Sequence, residues 1–232
     1  MLEAWRGIAQ ARSDSGACLD GARCPRYAGD DRLCRPSQNR SAKGWGGHCR
    51  CGASGAVGSI VGQITKIKGC YAVGIAGGAE KCRFVAGELG FDACVDHRSP
   101  DFAKQLESAC PKGIDIYFEN VGGAVQQTVW PHLNDFARIP VCGLIAQYNA
   151  KGPMPGPDMF SVLRKRLLLR GFIVSDFAAK QADFLREAGE WVRAGRLKYR
   201  EDIVDGLDNA PAAFLGLLQG KNFGKMLVRI AT

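Results

Sequence analysis

With 232 residues, 46% of them hydrophobic, the chain suits one globular domain or one and a half. No apolar run is long enough to span a membrane, and the N-terminus lacks the apolar core of a signal peptide, so a membrane partner and a secretory route are both excluded as expectations. The formal net charge of +8 suits an anionic partner, and a nucleotide cofactor meets that need as well as a nucleic acid would; ten cysteines at irregular spacing without a secretion signal point to reduced thiols in the cytoplasm.

Residues 1–52 do not resemble the rest. They are rich in Arg, Gly, Cys, Ser and Asp, nearly empty of Ile, Val and Leu, and have no period of 2 or 3.6 that could bury a face. The segment reads as irregular. His48-Cys49-Arg50-Cys51 with Cys18, Cys24 and Cys34 invites a metal reading, but the spacings match none of the paired-cysteine zinc patterns, and no metal is expected. A second account starts from the codons. Back-translating Tyr27-Ala28-Gly29-Asp30-Asp31-Arg32-Leu33-Cys34 and reading one base later permits Met-Pro-Gly-Met-Thr-Ala-Tyr-Val. The same offset over His48-Cys49-Arg50-Cys51-Gly52 permits Ile-Val-Val-Ala-Ala, an apolar strand that runs straight into Ala53. The expectation is an out-of-frame N-terminus, with the first strand of the fold missing as written. A natural, basic, Cys-rich arm is the alternative.

Ala53-Ser54-Gly55-Ala56-Val57-Gly58-Ser59 comes next, a turn of small residues. Ile60, Val61, Ile64 and Ile67 follow at helical spacing, and Gly69 sits where a left-handed residue would stop that helix. Tyr71-Ala72-Val73-Gly74-Ile75 then reads as a short buried strand. A glycine turn, a helix and a strand are parts of a dinucleotide-binding unit, in which backbone N–H groups at the helix N-terminus approach a pyrophosphate. Ala53 and Gly55 stand where the usual first two glycines would, so a plain glycine-rich turn before a helix remains open.

Ala76-Gly77-Gly78 ends the second strand where NAD-specific folds carry an acidic residue for the ribose 2′-hydroxyl. Its absence, with Lys81 close behind, favours a 2′-phosphate paired with Lys81. A solvated lysine on a helix over 79–89 is the other reading. A third strand at 93–95 leads to Asp96-His97-Arg98. If that strand adjoins the second, His97 and Arg98 lie near the adenosine phosphate; otherwise His97 is a surface residue. Ser99-Pro100 reads as an N-cap with Pro at N1, opening a helix over 101–110. A strong strand over 114–119 ends at Asn120-Val121-Gly122-Gly123, across the topological switch point from the first strand. A helix over 124–133 follows, then a strand over 138–143 whose Pro140 suggests a bulge or an edge-like place. A Pro- and Gly-rich loop runs through residue 157, at the strand end where α/β sheets bind ligands. The last core strand is expected over 167–174, a long amphipathic helix over 177–194, a shorter helix from Asp208 to about residue 219, and a final strand over 226–230.

From Ala53 to the C-terminus the chain resembles the medium-chain dehydrogenase/reductase superfamily, and most of all its zinc-independent double-bond reductases of alkenals, prostaglandins and curcumin. The resemblance rests on the 53–59 turn, Phe118-Glu119-Asn120-Val121-Gly122-Gly123, Val141-Cys142-Gly143-Leu144-Ile145-Ala146-Gln147-Tyr148-Asn149 and Gly220-Lys221-Asn222-Phe223-Gly224-Lys225. It implies an α/β, Rossmann-type, doubly wound parallel sheet: an NADP-binding domain over 53–195 and a return segment over 196–232, with the GroES-like catalytic barrel largely missing. It implies NADPH as cofactor and an α,β-unsaturated ketone or aldehyde as substrate, with hydride passing to the β-carbon. By motif position Gly55, Ala56, Val57 and Gly58 hold the pyrophosphate and Lys81 the 2′-phosphate. His97 stands near the adenosine where many relatives carry Tyr. Asn120, Cys142, Gly143, Leu144, Tyr148, Phe172, Ile173, Val174 and Asn222 line the rest. Tyr148 is either the proton donor that stabilises an enolate or a tyrosine packing the cofactor. The resemblance further implies dimerisation through the nucleotide domain. No zinc and no nucleic acid are expected.

Family members carry a substrate-binding barrel before this domain, so the chain as written is expected to bind NADPH weakly or not at all and to have little reductase activity. A nonenzymatic NADPH-binding or interaction protein with a basic Cys-rich arm is the competing class. A zinc alcohol dehydrogenase relative is disfavoured for want of a ligand set.

Overall fold

A computed structural model describes residues 47–230, with residues 47–51 described through their backbone only. Six strands make one sheet in the spatial order β3-β2-β1-β4-β5-β6: β1 (Gly47–Cys51), β2 (Tyr71–Ala76), β3 (Ala93–Asp96), β4 (Ile114–Phe118), β5 (Leu133–Val141) and β6 (Leu168–Gly171). Every neighbouring pair is parallel. This order places a topological switch point between β1 and β4. Helices α1 (Gly58–Ile67), α2 (Ala79–Gly87), α3 (Phe102–Ala109) and α4 (Gly123–Val129) make the crossovers; α5 (Met159–Lys165), α6 (Gln181–Arg193) and α7 (Ala210–Leu218) follow. The order and the parallel pairing are those expected of a doubly wound sheet.

Both faces of the sheet are covered, which is why β2 and β4, on either side of β1, read as apolar runs. On one face Val73, Ile75, Val95, Ile114 and Ile139 pack against Phe102 and Leu106 of α3 and Val125 and Val129 of α4. On the other, Ala53 and Ala72 meet Val85 and Leu89 of α2, while Ile60 and Ile64 of α1 pack on Phe184, Ala188 and Trp191 of α6. The alternation Ala72, Val73, Ile75 along β2 thus serves two layers at once.

Several expectations are corrected. The first strand is not missing: the backbone of Gly47–Cys51 runs between β2 and β4, paired on both sides. The metal reading of Cys18, Cys24 and Cys34 and the shifted-frame reading of Tyr27 to Cys34 lie outside the described residues. Pro140 is on an interior strand, between β4 and β6, and pairs with Arg170; the irregularity sits nearer the start of β5, where the register shifts between Ile114 and Ile116 of β4. Ser99 is not the N-cap of α3, which Asp101 occupies; the Ser99 hydroxyl instead accepts from Asp101 N and the Gln105 side chain. Strand β6 stops at Gly171, and the helix expected from residue 177 divides into a 3₁₀ segment, Val174–Lys180, and α6. β7 (Glu201–Asp205), unforeseen in the sequence, pairs in parallel with β8 (Lys225–Arg229) as a separate two-stranded sheet.

Gln63 is the polar fastener of this layer arrangement. Its buried amide donates to Ser59 O and Lys198 O, and accepts from Lys198 N. It ties α1 to the segment leaving α6. Gln63→Ala removes all three bonds, and is expected to cost about 2 kcal/mol because the Lys198 backbone groups lose their partners. A urea unfolding midpoint unchanged from that of the parent chain would refute this.

Candidate functional site

The ends of β1, β2, β4 and β5 share one edge of the sheet. After β1 the chain turns at Gly52, whose φ is +64°. Gly55 N donates to Gly52 O at 3.0 Å, Ala53 N to Ile75 O at 3.0 Å, and α1 starts at Gly58. Val57, at the N-cap, supplies no side-chain cap. The open helix end therefore points N–H groups and the positive pole of its dipole over the switch point. A β-carbon on Gly58 would lie 2.8 Å from the Gly52 carbonyl carbon and 3.1 Å from Ala53 Cα, so the turn closes only around glycine. Gly55, Ala56 and Val57 are half-buried beside it. This is a cradle of the shape and polarity that suits a phosphate diester.

The second corner lies where β2 and β3 end. Asp96 accepts from Gly78 N at 2.8 Å and Arg98 N at 2.9 Å, and so pins the β2–α2 turn to the end of β3. Burial pushes the Asp96 carboxyl up, but these two backbone donors and the His97 and Arg98 charges outweigh it and hold it below the ordinary carboxylate range. A β-carbon on Gly77 would meet Arg98 Nε and His97 Nε2, each at 2.9 Å. Lys81 Nζ donates to Gly220 O at 2.7 Å and to Asn222 O at 2.6 Å. Loss of hydration, then the Arg98 charge, lowers the Lys81 pKa; the same two causes, in the same order, lower that of His97. Three basic side chains thus crowd one corner, where the Asp96 carboxylate is taken up by the Gly78 and Arg98 N–H groups and that of Asp202 by Phe223 N. The loop carrying Asn222 is held down further by Phe223, edge-on to Phe84 of α2 with centroids 4.9 Å apart, and by Gly224 N, which donates to Ser54 O at 3.0 Å.

The third group follows β4 and β5. Glu119 is fully buried; its carboxylate accepts from Val121 N at 2.7 Å, Gly122 N at 2.8 Å and Gln126 Nε2 at 2.9 Å. Its carbonyl accepts from Cys142 N at 2.8 Å. Asn120 is thereby set at the switch point: a β-carbon on Gly143 would lie 2.9 Å from Asn120 Oδ1 and 3.1 Å from Tyr148 Oη. Tyr148 is 64% exposed, and its hydroxyl folds back to accept from Leu144 N at 3.4 Å. Burial pushes the Cys142 thiol up.

The structure thus gathers Gly55 to Gly58, Lys81 with His97 and Asn222, and Asn120 with Gly143, Leu144 and Tyr148 along one edge. Phe172 is different. Its ring is buried with Val61 and Phe118, with the Phe118 centroid 6.4 Å away, so its side chain belongs to the core. Ile173 and Val174, just past β6, are exposed. Sequence reasoning left out two residues. Arg98 was noticed beside His97 but not placed among the binding residues. Glu119 has no functional signal except its oddity, a carboxylate closing an apolar strand just before Asn120-Val121-Gly122-Gly123. Among the described residues no group of three or more His, Cys, Asp or Glu side chains could hold a metal ion, and no helix is long and apolar enough to cross a membrane.

Residues 56–192 match the zinc-binding dehydrogenase family. The chain is 57% identical over 185 residues to the NADPH-dependent curcumin reductase of Escherichia coli (strain K12), a match covering 77% of this chain and 54% of that protein. It is 42% identical over 180 residues to prostaglandin reductase 1 of Rattus norvegicus, covering 76% of this chain and 54% of that protein. The crystal structure of CurA in complex with NADPH from Vibrio vulnificus has the same fold, with a TM-score of 0.77 and 52% identity over 81% of this chain and 58% of that one. The chain spans about half the length of the curated relatives it matches.

Proposed function

The chain belongs to the zinc-binding dehydrogenase family, within the medium-chain dehydrogenase/reductases, and from this we propose that it serves NADPH-dependent reduction of the C=C bond of an α,β-unsaturated ketone or aldehyde. The observation that carries the cofactor half is the open, uncapped start of α1, behind a glycine turn, at the switch point of a β3-β2-β1-β4-β5-β6 sheet. The substrate half rests on the relatives, which are named as reductases of curcumin and of prostaglandins.

When bound, NADPH supplies the hydride. The chain's own residues do the rest. The N–H groups of residues 56–58 hold the pyrophosphate without any side chain. Lys81 has three ammonium donors and two are used by Gly220 O and Asn222 O; the third, with the exposed Arg98 guanidinium and His97, faces the 2′-phosphate. Asn120 and the backbone of Cys142 to Leu144 orient the nicotinamide end. The Tyr148 hydroxyl gives the proton to the α-carbon side, or packs the cofactor in place. We read it further as a cytoplasmic protein that dimerises through the nucleotide domain.

A fluorescence titration of the whole chain with NADPH and with NADH tests the cofactor reading. With β1 in place between β2 and β4, measurable binding is expected in place of the weak or absent binding read from the sequence, and NADPH is expected to bind more tightly than NADH. Lys81→Ala is expected to weaken NADPH about tenfold, the loss of one or two charge-assisted bonds, and to leave NADH nearly unchanged. An equal fall for both cofactors would make Lys81 a tether for the 220–222 loop and nothing more. Oxidation of NADPH by an enone, followed at the nicotinamide absorbance, tests the reaction; no turnover above background sinks it for this chain.

A further inference from the structure

Two cysteines lie beside the basic corner and have no place in the proposed reaction. Cys82 is the fourth residue of α2 and Cys94 the second residue of β3. In the sheet Cys94 pairs with Gly74, and a β-carbon on Gly74 would stand 3.2 Å from Cys94 Sγ and 2.7 Å from Val85 Cγ1. The Cys94 sulfur therefore points at the face of α2 that Val85 buries. Cys82, three residues before Val85, shares that face. The two thiols thus face each other between α2 and β3, and both remain free and only half-buried.

We propose that Cys82 and Cys94 are a thiol–disulfide pair, oxidised by hydrogen peroxide, whose closure weakens binding at the neighbouring 2′-phosphate corner. The second clause rests on the function proposed above. The contact with Cys94 holds the Cys82 thiol below its ordinary range, while the same contact, followed by burial, pushes Cys94 up. Position on the first turns of a helix favours the Cys82 thiolate in the same sense. Cys82 is thus the sulfur that attacks. Its S–O bond forms as the peroxide O–O bond breaks, and the departing hydroxide takes a proton to become water. Cys94 sulfur then displaces hydroxide from the Cys82 sulfenic acid, the S–O bond breaks, the S–S bond forms, and the Cys94 proton leaves in a second water. Two thiols and one peroxide become one disulfide and two waters.

The crosslink reaches the corner from both sides. Lys81 precedes Cys82 on the first turn of α2, and Asp96, two residues past Cys94, holds Gly78 N and Arg98 N. Drawing the two sulfurs to bonding distance moves the turn that carries Lys81 against the strand end that carries Arg98.

The full chain is treated with hydrogen peroxide, remaining thiols are alkylated, and the digest is read by mass spectrometry alongside NADPH titrations. A peptide linking Cys82 to Cys94, lost on treatment with dithiothreitol, is expected, together with an NADPH affinity about tenfold lower. Cys82→Ser and Cys94→Ser should each abolish the oxidant response and leave the affinity of the reduced protein unchanged; with Cys94→Ser, the sulfenic acid at Cys82 should be trapped by dimedone. Absence of the linked peptide, or an undiminished loss of affinity in Cys94→Ser, overturns the proposal. A linked pair whose NADPH affinity equals that of the reduced protein overturns the coupling. If the reduced chain shows no preference for NADPH over NADH, the cofactor reading fails, while the linked peptide still decides the thiol pair.

Discussion

Gly58→Ala is expected to destabilise the chain by about 3 kcal/mol, at the upper end of overpacking costs, and to remove measurable NADPH binding. The added β-carbon would meet the Gly52 carbonyl carbon at 2.8 Å and Ala53 Cα at 3.1 Å. Both are backbone, and neither can yield. Ala53 N is bonded to Ile75 O, Gly55 N to Gly52 O, and Gly224 N to Ser54 O, each at 3.0 Å. The turn must open or α1 must rise, and α1 carries Ile60 and Ile64 into the contact with Phe184 and Trp191. Either movement takes the N–H groups of residues 56–58 out of register with an anion. Gly87→Ala is the control: a β-carbon there meets nothing within 4 Å, and its stability should match or slightly exceed that of the parent chain. Equal urea midpoints for the two variants would show that the turn does not depend on glycine at this position.

Glu119→Ala is expected to cost about 3–5 kcal/mol, since it strands buried donors that have no other acceptor. Val121 N, Gly122 N and Gln126 Nε2 all converge on this one carboxylate. Its carboxyl group sits at zero exposure because these three donors, two of them backbone groups just before α4, bond it in place of water. Glu119→Gln should be far milder, about 1 kcal/mol, because an amide oxygen still accepts from the two backbone groups and the Gln126 amide can turn over to accept in its place. Glu119 is a positioning residue: through the turn it holds, Asn120 sits beside Gly143 and the Tyr148 hydroxyl. The Gln variant, which stays folded, should therefore lose NADPH affinity only slightly. A Gln variant as unstable as the Ala variant would show that the charge matters here and not the pattern of acceptors.

Much of the nucleotide domain was legible because its signals are local. Periodicity at Ile60, Val61, Ile64 and Ile67 marked α1, Gly69 its end, and the apolar runs from Tyr71 and Ile114 two central strands. Parallel strands buried on both faces leave a pattern that survives without knowledge of their neighbours. Boundaries were poorer where neighbours decide them. Strand β5 begins at Leu133, earlier than its apolar stretch suggests, because Leu133 pairs with Ile114 of β4, well before the stretch from Arg138 that pairs with β6. Strand β7 was invisible, since Glu201, Asp202 and Asp205 hide a short strand whose partner, β8, lies far along the chain. β1 escaped for the same reason in stronger form: Gly47–Cys51 has no apolar pattern, yet its backbone occupies the middle of the sheet.

The candidate site divides in the same way. Gly55 to Gly58, Lys81, Asn120, Tyr148 and Asn222 could be named from motif position. That Lys81 spends two of its hydrogen bonds on Gly220 and Asn222 could not, because that contact joins segments about 140 residues apart. Nor could the pairing of Cys82 with Cys94, or the burial of the Phe172 ring beneath the strand end it was expected to line. Chain order alone determined α1, the central strands from Tyr71 and Ile114, and the glycine turn that precedes α1. Tertiary structure alone decided which charges meet at the end of β2, which carboxylate holds the turn after β4, and which thiols touch. Local structure follows from neighbours along the chain, through backbone sterics and a repeating apolar period; the meeting of side chains depends on how layers stack, and that is settled only when the whole sheet closes.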